Sequence, residues 1–148
     1  MIKKLYYLFF PIIIGSIVGL VIKNNIDYTT LVRPPLSPPK IFFPIIWSII
    51  YLLLWISYYL YKKNSVDNNS IDFIYYLQLI VNYLWSFIFF TWKLRFIAII
   101  WIIMLLILII ILYKAYYNKY KLSAYLLIPY IIWTIFATYL TIGIYILN

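Results

Sequence analysis

"FIAIIWIIMLLILIIILY", residues 96–113, runs for 18 positions without a charge, and its length decides what kind of fold the chain can have. At 1.5 Å per residue this stretch is about 27 Å long as a helix, close to the roughly 30 Å of hydrocarbon in a bilayer. In a chain of 148 residues, a helix that is apolar on every side belongs in lipid.

Outward from it lie four more segments of the same kind, approximately 5–22, 41–61, 73–92 and 122–147, each free of internal charge. Backbone polar groups inside hydrocarbon must be satisfied within the segment, so the spans read as helices, and short connections make them antiparallel neighbours. The expectation is one all-α domain over residues 1–148, an integral membrane bundle of five transmembrane helices. The runs are continuous and lack the alternation of membrane barrel strands. Lys3 and Lys4 before the first span imitate the start of a signal peptide, but no small-residue cleavage site follows, and the span is read as a retained helix. Gly15 and Gly19 within it have the small-xxx-small spacing that lets helices approach closely.

Composition agrees and removes whole classes of chemistry. The chain is 68% hydrophobic and 23% aromatic, with a mean hydropathy of +1.02, where soluble domains are about 45–50% apolar. It has no cysteine and no histidine, so thiolate sites, disulfides and the commonest general base and metal ligand are all missing. Most hydrolase, zinc and haem-ligating readings go with them. The carboxylates are Asp27, Asp67 and Asp72, all in or beside loops, which leaves no candidate for an intramembrane carboxylate relay. The net charge of +9 is scattered between the spans, as suits anionic headgroups; the bilayer, not nucleic acid, is the expected partner. Lys and Arg divide seven to five between the two sides, too even to fix orientation.

The connection 23–40 is the outlier, since bundle connections take about 2–8 residues. Pro34, Pro35, Pro38 and Pro39 stiffen it, and with Arg33 and Lys40 it reads as a basic lid over one end of the bundle. In the second span Trp47, Tyr51, Trp55 and Tyr58 share a side; in the third, Gln78, Asn82, Trp85 and Phe89 follow i, i+4, i+7 and i+11. Amides are costly in hydrocarbon, so this face looks inward, with Asn82 and Gln78 open between ligand binding and interhelical hydrogen bonding. Pro129 predicts a bend in the fifth span, after which Trp133, Ala137 and Thr141 fall on one side, with small Ala137 leaving room for a neighbouring helix or a flat ligand edge.

Three ordered stretches, "RPPLSPPKIFFPIIWSIIY" (33–51), "NYLWSFIFF" (82–90) and "PYIIWTIFATYL" (129–140), resemble the TspO/MBR family, the bacterial tryptophan-rich sensory proteins and the mitochondrial translocator protein or peripheral benzodiazepine receptor. The first is similar to the family's K/R-P-x-x-x-P-P segment, the second to N-x-x-W-x-x-x-F-F, the third to P-Y-x-x-W-x-x-F-A-x-x-L. The resemblance implies a five-helix bundle, commonly a homodimer, in a bacterial cell membrane, with a pocket closed by the first loop that takes porphyrins such as protoporphyrin IX and benzodiazepine-type ligands. Carried over, the pocket residues are Trp47, Tyr51, Asn82, Trp85, Phe89, Phe90, Trp133, Ala137 and Leu140, and the lid residues Arg33, Pro34, Pro38, Pro39 and Lys40. Leu36 and Ile41 stand where many members place aromatics, so the lid is expected to offer less stacking surface. Thr141 replaces the usual asparagine, and the mitochondrial sterol-recognition pattern is not reproduced near 142–148, so sterol import is not expected.

A flat apolar tetrapyrrole with carboxylates suits these residues: Trp47, Trp85 and Trp133 supply stacking area, Arg33 and Lys40 pair with carboxylates. Without histidine or cysteine as axial ligand, no tightly held cofactor is expected, and metal-free porphyrin should bind at least as well as haem. The leading reading is a membrane-embedded porphyrin receptor or sensor. The alternatives are light-dependent porphyrin breakdown relayed by Trp47 and Trp133, transport of tetrapyrroles or other amphiphiles, and a small packing subunit of a larger complex.

Overall fold

Where a helix in lipid stops is set by caps and prolines more than by charge. In the computed structural model, which describes residues 10–22, 32–39, 42–66 and 68–148, six α-helices follow one another: α1 Phe10–Ile22, α2 Phe42–Asn64, α3 Asn69–Ser86, α4 Arg95–Tyr117, α5 Lys121–Tyr125 and α6 Ile128–Leu147. The start of the first span with Lys3 and Lys4, loop residues 23–31 with Asp27, and Lys40, Ile41 and Asp67 lie outside the described residues.

Helix α2 runs through Lys62 and Lys63 to Asn64, and α4 through Lys114 to Tyr117, several residues beyond the ends the charges suggest. A lysine marks the edge of the hydrocarbon, but helical hydrogen bonding continues through the headgroup layer. Helix α3 begins at Asn69 because Asn68 caps it, its Oδ1 accepting from the Ser70 and Ile71 amides at 2.9 and 3.3 Å, with Asp72 in the first turn complementing the helix dipole.

The single helix expected over 122–147 is divided. Pro129 sits in the first turn of α6, where its missing N–H is no loss. Upstream, the Leu127 amide turns back to the Ala124 carbonyl at 3.0 Å, and the Ser123 carbonyl instead accepts the Ser57 hydroxyl at 2.6 Å. The break thus ties α5 to α2.

Among the described residues, α2, α3 with the turn that continues it to Thr91, α4, and α5 with α6 are each long and apolar enough to cross a membrane. With α1 the chain is an all-α bundle of five membrane helices. Helix α4, apolar all round, buries one stripe, Ala98, Ile102, Leu105, Ile109, Leu112 and Tyr116, against α3, α5 and α6, while Phe96, Ile100, Ile103 and Ile107 stay exposed and face lipid.

The two α1 glycines part company. A Cβ on Gly15 would lie 2.5 Å from Tyr51 Cε2, so this glycine lets α1 close onto α2, whereas Gly19 opens onto nothing within 4 Å. Gly15→Ala is therefore expected to cost about 1 kcal/mol net, overpacking of about 1–3 kcal/mol being offset by a helix-propensity gain of about 1. Gly19→Ala keeps the gain alone. Unfolding of the two variants in mixed micelles should shift in opposite directions; equal shifts would contradict this placement of α1.

Candidate functional site

Helix α3 does not end at Ser86 but widens into a π-helical turn, Phe87–Thr91, closed by the Trp92 amide on the Phe87 carbonyl at 2.8 Å. The slower rotation of a π turn brings three consecutive side chains, Ile88, Phe89 and Phe90, to the buried side. Arg95, opening α4, folds back over this turn: its Nε donates to the Phe89 carbonyl at 3.2 Å and its guanidinium lies 4.8 Å from the Phe89 ring centroid.

Facing the turn, α6 presents Ala137, Leu140, Thr141 and Ile144, and α2 presents Phe43. With Trp85, Phe89 and Phe90 these residues line an apolar cavity of about 10 Å³, room for a single water. Trp85 stacks on Phe89 at 5.2 Å, and Phe43 meets Trp133 edge-on at 5.8 Å. Trp47 stands between the other two tryptophans, 6.3 Å from Trp85 and 6.2 Å from Trp133. The indole N–H groups of Trp85 and Trp133 are buried and have no hydrogen-bond acceptor.

One layer deeper the cluster changes from aromatic to polar. The Tyr51 hydroxyl donates to Asn82 Oδ1 at 2.9 Å, Asn82 Nδ2 donates to the Tyr130 hydroxyl at 2.6 Å, and Tyr130 donates to Gln78 Oε1 at 2.9 Å. This buried thread joins α2, α3 and α6. Both ends of the Asn82 amide are thereby bonded to neighbouring helices.

The described part of the lid, residues 32–39, docks on α6. Pro34 is buried against Gly143, where a Cβ would come within 2.6 Å of its ring. Val32 and Asn148 bond reciprocally: the Val32 amide donates to Asn148 Oδ1 at 3.1 Å, and Asn148 Nδ2 donates to the Val32 carbonyl at 2.8 Å. Tyr139 donates to the Pro35 carbonyl at 2.6 Å. Leu36 takes a left-handed φ of 69° at the turn between the two proline pairs and is 85% exposed.

Residues 7–147 match a sequence model of the TspO/MBR family. The chain belongs to the TspO/MBR family. Among TspO/MBR relatives, the tryptophan-rich protein TspO of Chlorobaculum tepidum is 32% identical over 126 residues, covering 82% of this chain and 78% of its own. That of Archaeoglobus fulgidus is 34% identical over 122 residues, covering 82% and 79%. The translocator protein homolog of Schizosaccharomyces pombe is 29% identical over 145 residues, covering 93% and 87%. The chain is accordingly a multi-pass integral membrane protein of a family of membrane sensor and translocator proteins.

Of the residues that TspO/MBR resemblance singles out, Trp85, Phe89, Phe90, Ala137 and Leu140 line the cavity, Trp47 and Trp133 border it through ring contacts, and Tyr51 and Asn82 lie below in the polar thread. Arg33, Pro34 and Pro39 line an open concavity of about 520 Å³ on the lid together with Leu36 and Ser37. Pro38 is half-buried, and Lys40 is outside the described residues. Sequence reading alone does not select Phe43, Tyr130, Ile144, Gly143, Asn148 or Arg95. Phe43, one turn before Trp47, and Tyr130, one turn before Thr134, carry a helical-spacing signal; the others carry none. Thr141 lines the cavity, and its hydroxyl donates to the Ala137 carbonyl at 2.7 Å.

Proposed function

We propose that this protein is a membrane receptor for flat aromatic amphiphiles of the tetrapyrrole class, with benzodiazepine-type ligands competing for the same place and a homodimer as its working form. The observation that carries the reading is the convergence of Trp47, Trp85 and Trp133 from three helices on one apolar cavity beside the docked lid. Aromatic contacts contribute about 0.5–1.5 kcal/mol each beyond burial, so three indoles supply enough stacking for a planar ring without a metal bond. Ligand pockets run to about 300–1,000 Å³, so binding on this reading requires the lid to lift and the indoles to part. The two unpartnered indole N–H groups then meet an acceptor on the ligand. The chain has no histidine or cysteine to ligate haem iron, and Met104 lies 38% exposed on the outer face of α4. Metal-free porphyrin should therefore bind at least as well as haem on this proposal.

Titration of the purified protein with protoporphyrin IX, followed by tryptophan fluorescence, should saturate, and Trp47→Phe, Trp85→Phe and Trp133→Phe combined should weaken binding at least tenfold, a change of about 1.4 kcal/mol. Saturation unaltered by the three substitutions would remove the site. The second reading, light-driven porphyrin breakdown, is favoured by the near contact of the three indoles, which offers an electron donor to an excited ligand. Bleaching at the same rate with Trp133→Phe as with the unaltered protein would count against it.

A further inference from the structure

Away from the lid, the bundle gathers a second aromatic group that the receptor reading leaves without a role. Tyr58 and Tyr75 stack face to face, centroids 4.0 Å apart and planes 4° from parallel, and Tyr61 stacks on Tyr116 at 4.9 Å. These four side chains are buried. Tyr58 also lies 6.2 Å from Tyr61, so the two stacks form one group. The Tyr58 hydroxyl donates to Asp72 Oδ1 at 3.2 Å, and Lys62 Nζ holds Asp72 Oδ2 at 2.7 Å. The Asp72 side chain is 21% exposed, so a proton arriving there has a way out of the bundle.

The two aromatic groups are joined. From Trp85 the rings pass to Trp47 at 6.3 Å, and Trp55 follows eight residues further along α2, about 12 Å of helix rise and one turn before Tyr58. Along α2 alone, Trp47 and Tyr58 are eleven residues or about 16 Å apart, too far for one fast electron step but short for several. A phenol yields an electron readily only when its proton leaves at the same time, and Tyr58 has a carboxylate placed to take it.

We propose that this ring series is a one-electron relay, with Tyr58 as its terminal donor and Asp72 as the proton acceptor, that carries oxidising equivalents away from the tryptophan cluster to the opposite membrane face. A photoexcited tetrapyrrole takes one electron from Trp85 or Trp47 and becomes its radical anion, which passes the electron to dioxygen as superoxide. The indole is refilled from Trp55, whose ring can carry a hole without giving up a proton, and Trp55 in turn from Tyr58. Tyr58 loses one electron, its phenolic proton moves to Asp72 Oδ1, and a neutral phenoxyl radical and a neutral carboxyl group remain. Its function is protective: the hole ends on Tyr58, buried but beside the partly exposed Lys62 and Asp72, within electron-transfer reach of soluble reductants at the headgroup layer, and the indoles of the site survive repeated excitation. The relay rests on the receptor reading for its natural oxidant alone.

The chain has no cysteine, so a ruthenium polypyridyl sensitiser can be attached at Leu36→Cys on the exposed tip of the lid and flashed with a cobalt(III) ammine quencher, with no tetrapyrrole present. Freeze-quenched electron paramagnetic resonance of the protein in lipid nanodiscs should show a tyrosyl signal that narrows with ring-deuterated tyrosine. Tyr58→Phe, which keeps the stacked ring, and Asp72→Asn should each lose that signal and leave a tryptophanyl one; Asp72→Glu should restore it, and Tyr125→Phe, at an exposed ring, should leave it intact. A purely structural Tyr58–Asp72 bond would not move the identity of the radical. A tyrosyl signal undiminished by Tyr58→Phe, or a tryptophanyl signal alone in the parent, overturns the relay. Neither outcome touches the protoporphyrin titration, whose failure would overturn the receptor reading and leave the ruthenium result standing.

Discussion

Asn82→Leu is expected to destabilise the bundle by about 2 kcal/mol, and Tyr51→Phe by about 1, but the two together by little more than Asn82→Leu alone. The reason is directional. Tyr51 gives its proton to Asn82 Oδ1, so removing the amide strands a buried donor, and removing the hydroxyl strands a buried acceptor. Tyr130 suffers less from the loss of Asn82, because it still donates to Gln78 Oε1 and gives up an incoming bond only. Two competing magnitudes bear on the size. Stranding a buried polar group costs about 1–3 kcal/mol in a soluble core, whereas interhelical hydrogen bonds in membranes average about 0.6 with a maximum near 1.7, since the unfolded chain in lipid also finds partners. Two bonds lost at Asn82 put the sum between those limits. With Asn82→Leu and Tyr51→Phe combined, both facing side chains are apolar and neither is stranded, which is why the double change is not the sum. Reversible unfolding in mixed micelles measures all three; additivity within about 0.5 kcal/mol would mean that the bond contributes nothing beyond packing.

That thread also marks the limit of what the sequence makes legible. Gln78, Asn82, Trp85 and Phe89 are separated by turns of a helix, so their common face follows from periodicity, and the cost of an amide in lipid turns that face inward; all four are buried. The partners of Asn82 do not follow, because Tyr51 and Tyr130 are 31 and 48 residues away and their pairing is fixed by how three helices meet. The convergence of Trp47, Trp85 and Trp133 was legible through the family motifs, but not the size of the cavity they border, which depends on ring orientations. The π turn is silent for a different reason. Its widened hydrogen bonding leaves no compositional trace in "SFIFFT", and without it Phe90 would turn away from Ala137. At Leu36 the backbone adopts a conformation that glycine would have advertised and leucine hides, so the outward direction of the lid tip was not readable. Pro129 was legible as a disturbance, though not as the start of a new helix, since whether a proline kinks or caps depends on which upstream carbonyls find other donors, here Ser57.

The largest effect on the lid is expected from Gly143→Val, which should detach residues 32–39 from α6 without weakening the helix itself. A Cβ at this position would lie 2.6 and 2.7 Å from two ring carbons of Pro34, closer than unbonded carbons come, and a proline ring has no rotamer by which to withdraw. The backbone must move, and the bonds on either side move with it: Val32 with Asn148, Pro35 with Tyr139. Three hydrogen bonds at about 0.5–1.5 kcal/mol each, less the entropy of holding the loop, leave the docked state favoured by about 2 kcal/mol, so its loss should speed exchange of the Val32 amide roughly 30-fold. Glycine is a poor helix former, so the thermal midpoint of the bundle should hold or rise while the lid opens, which separates this variant from a general destabilisation. Asn148→Ala should have the next largest effect on exchange and Tyr139→Phe, which removes one bond, the smallest. If the lid gates the tryptophan site, Gly143→Val should also raise the association and dissociation rates of protoporphyrin IX together, leaving the equilibrium constant nearly unchanged, because Pro34 and Gly143 stand on the route and not in the contact. Exchange at Val32 unchanged by Gly143→Val would show that Pro34 does not hold the loop; faster exchange with unaltered ligand kinetics would show that the ligand enters elsewhere, between helices from the lipid.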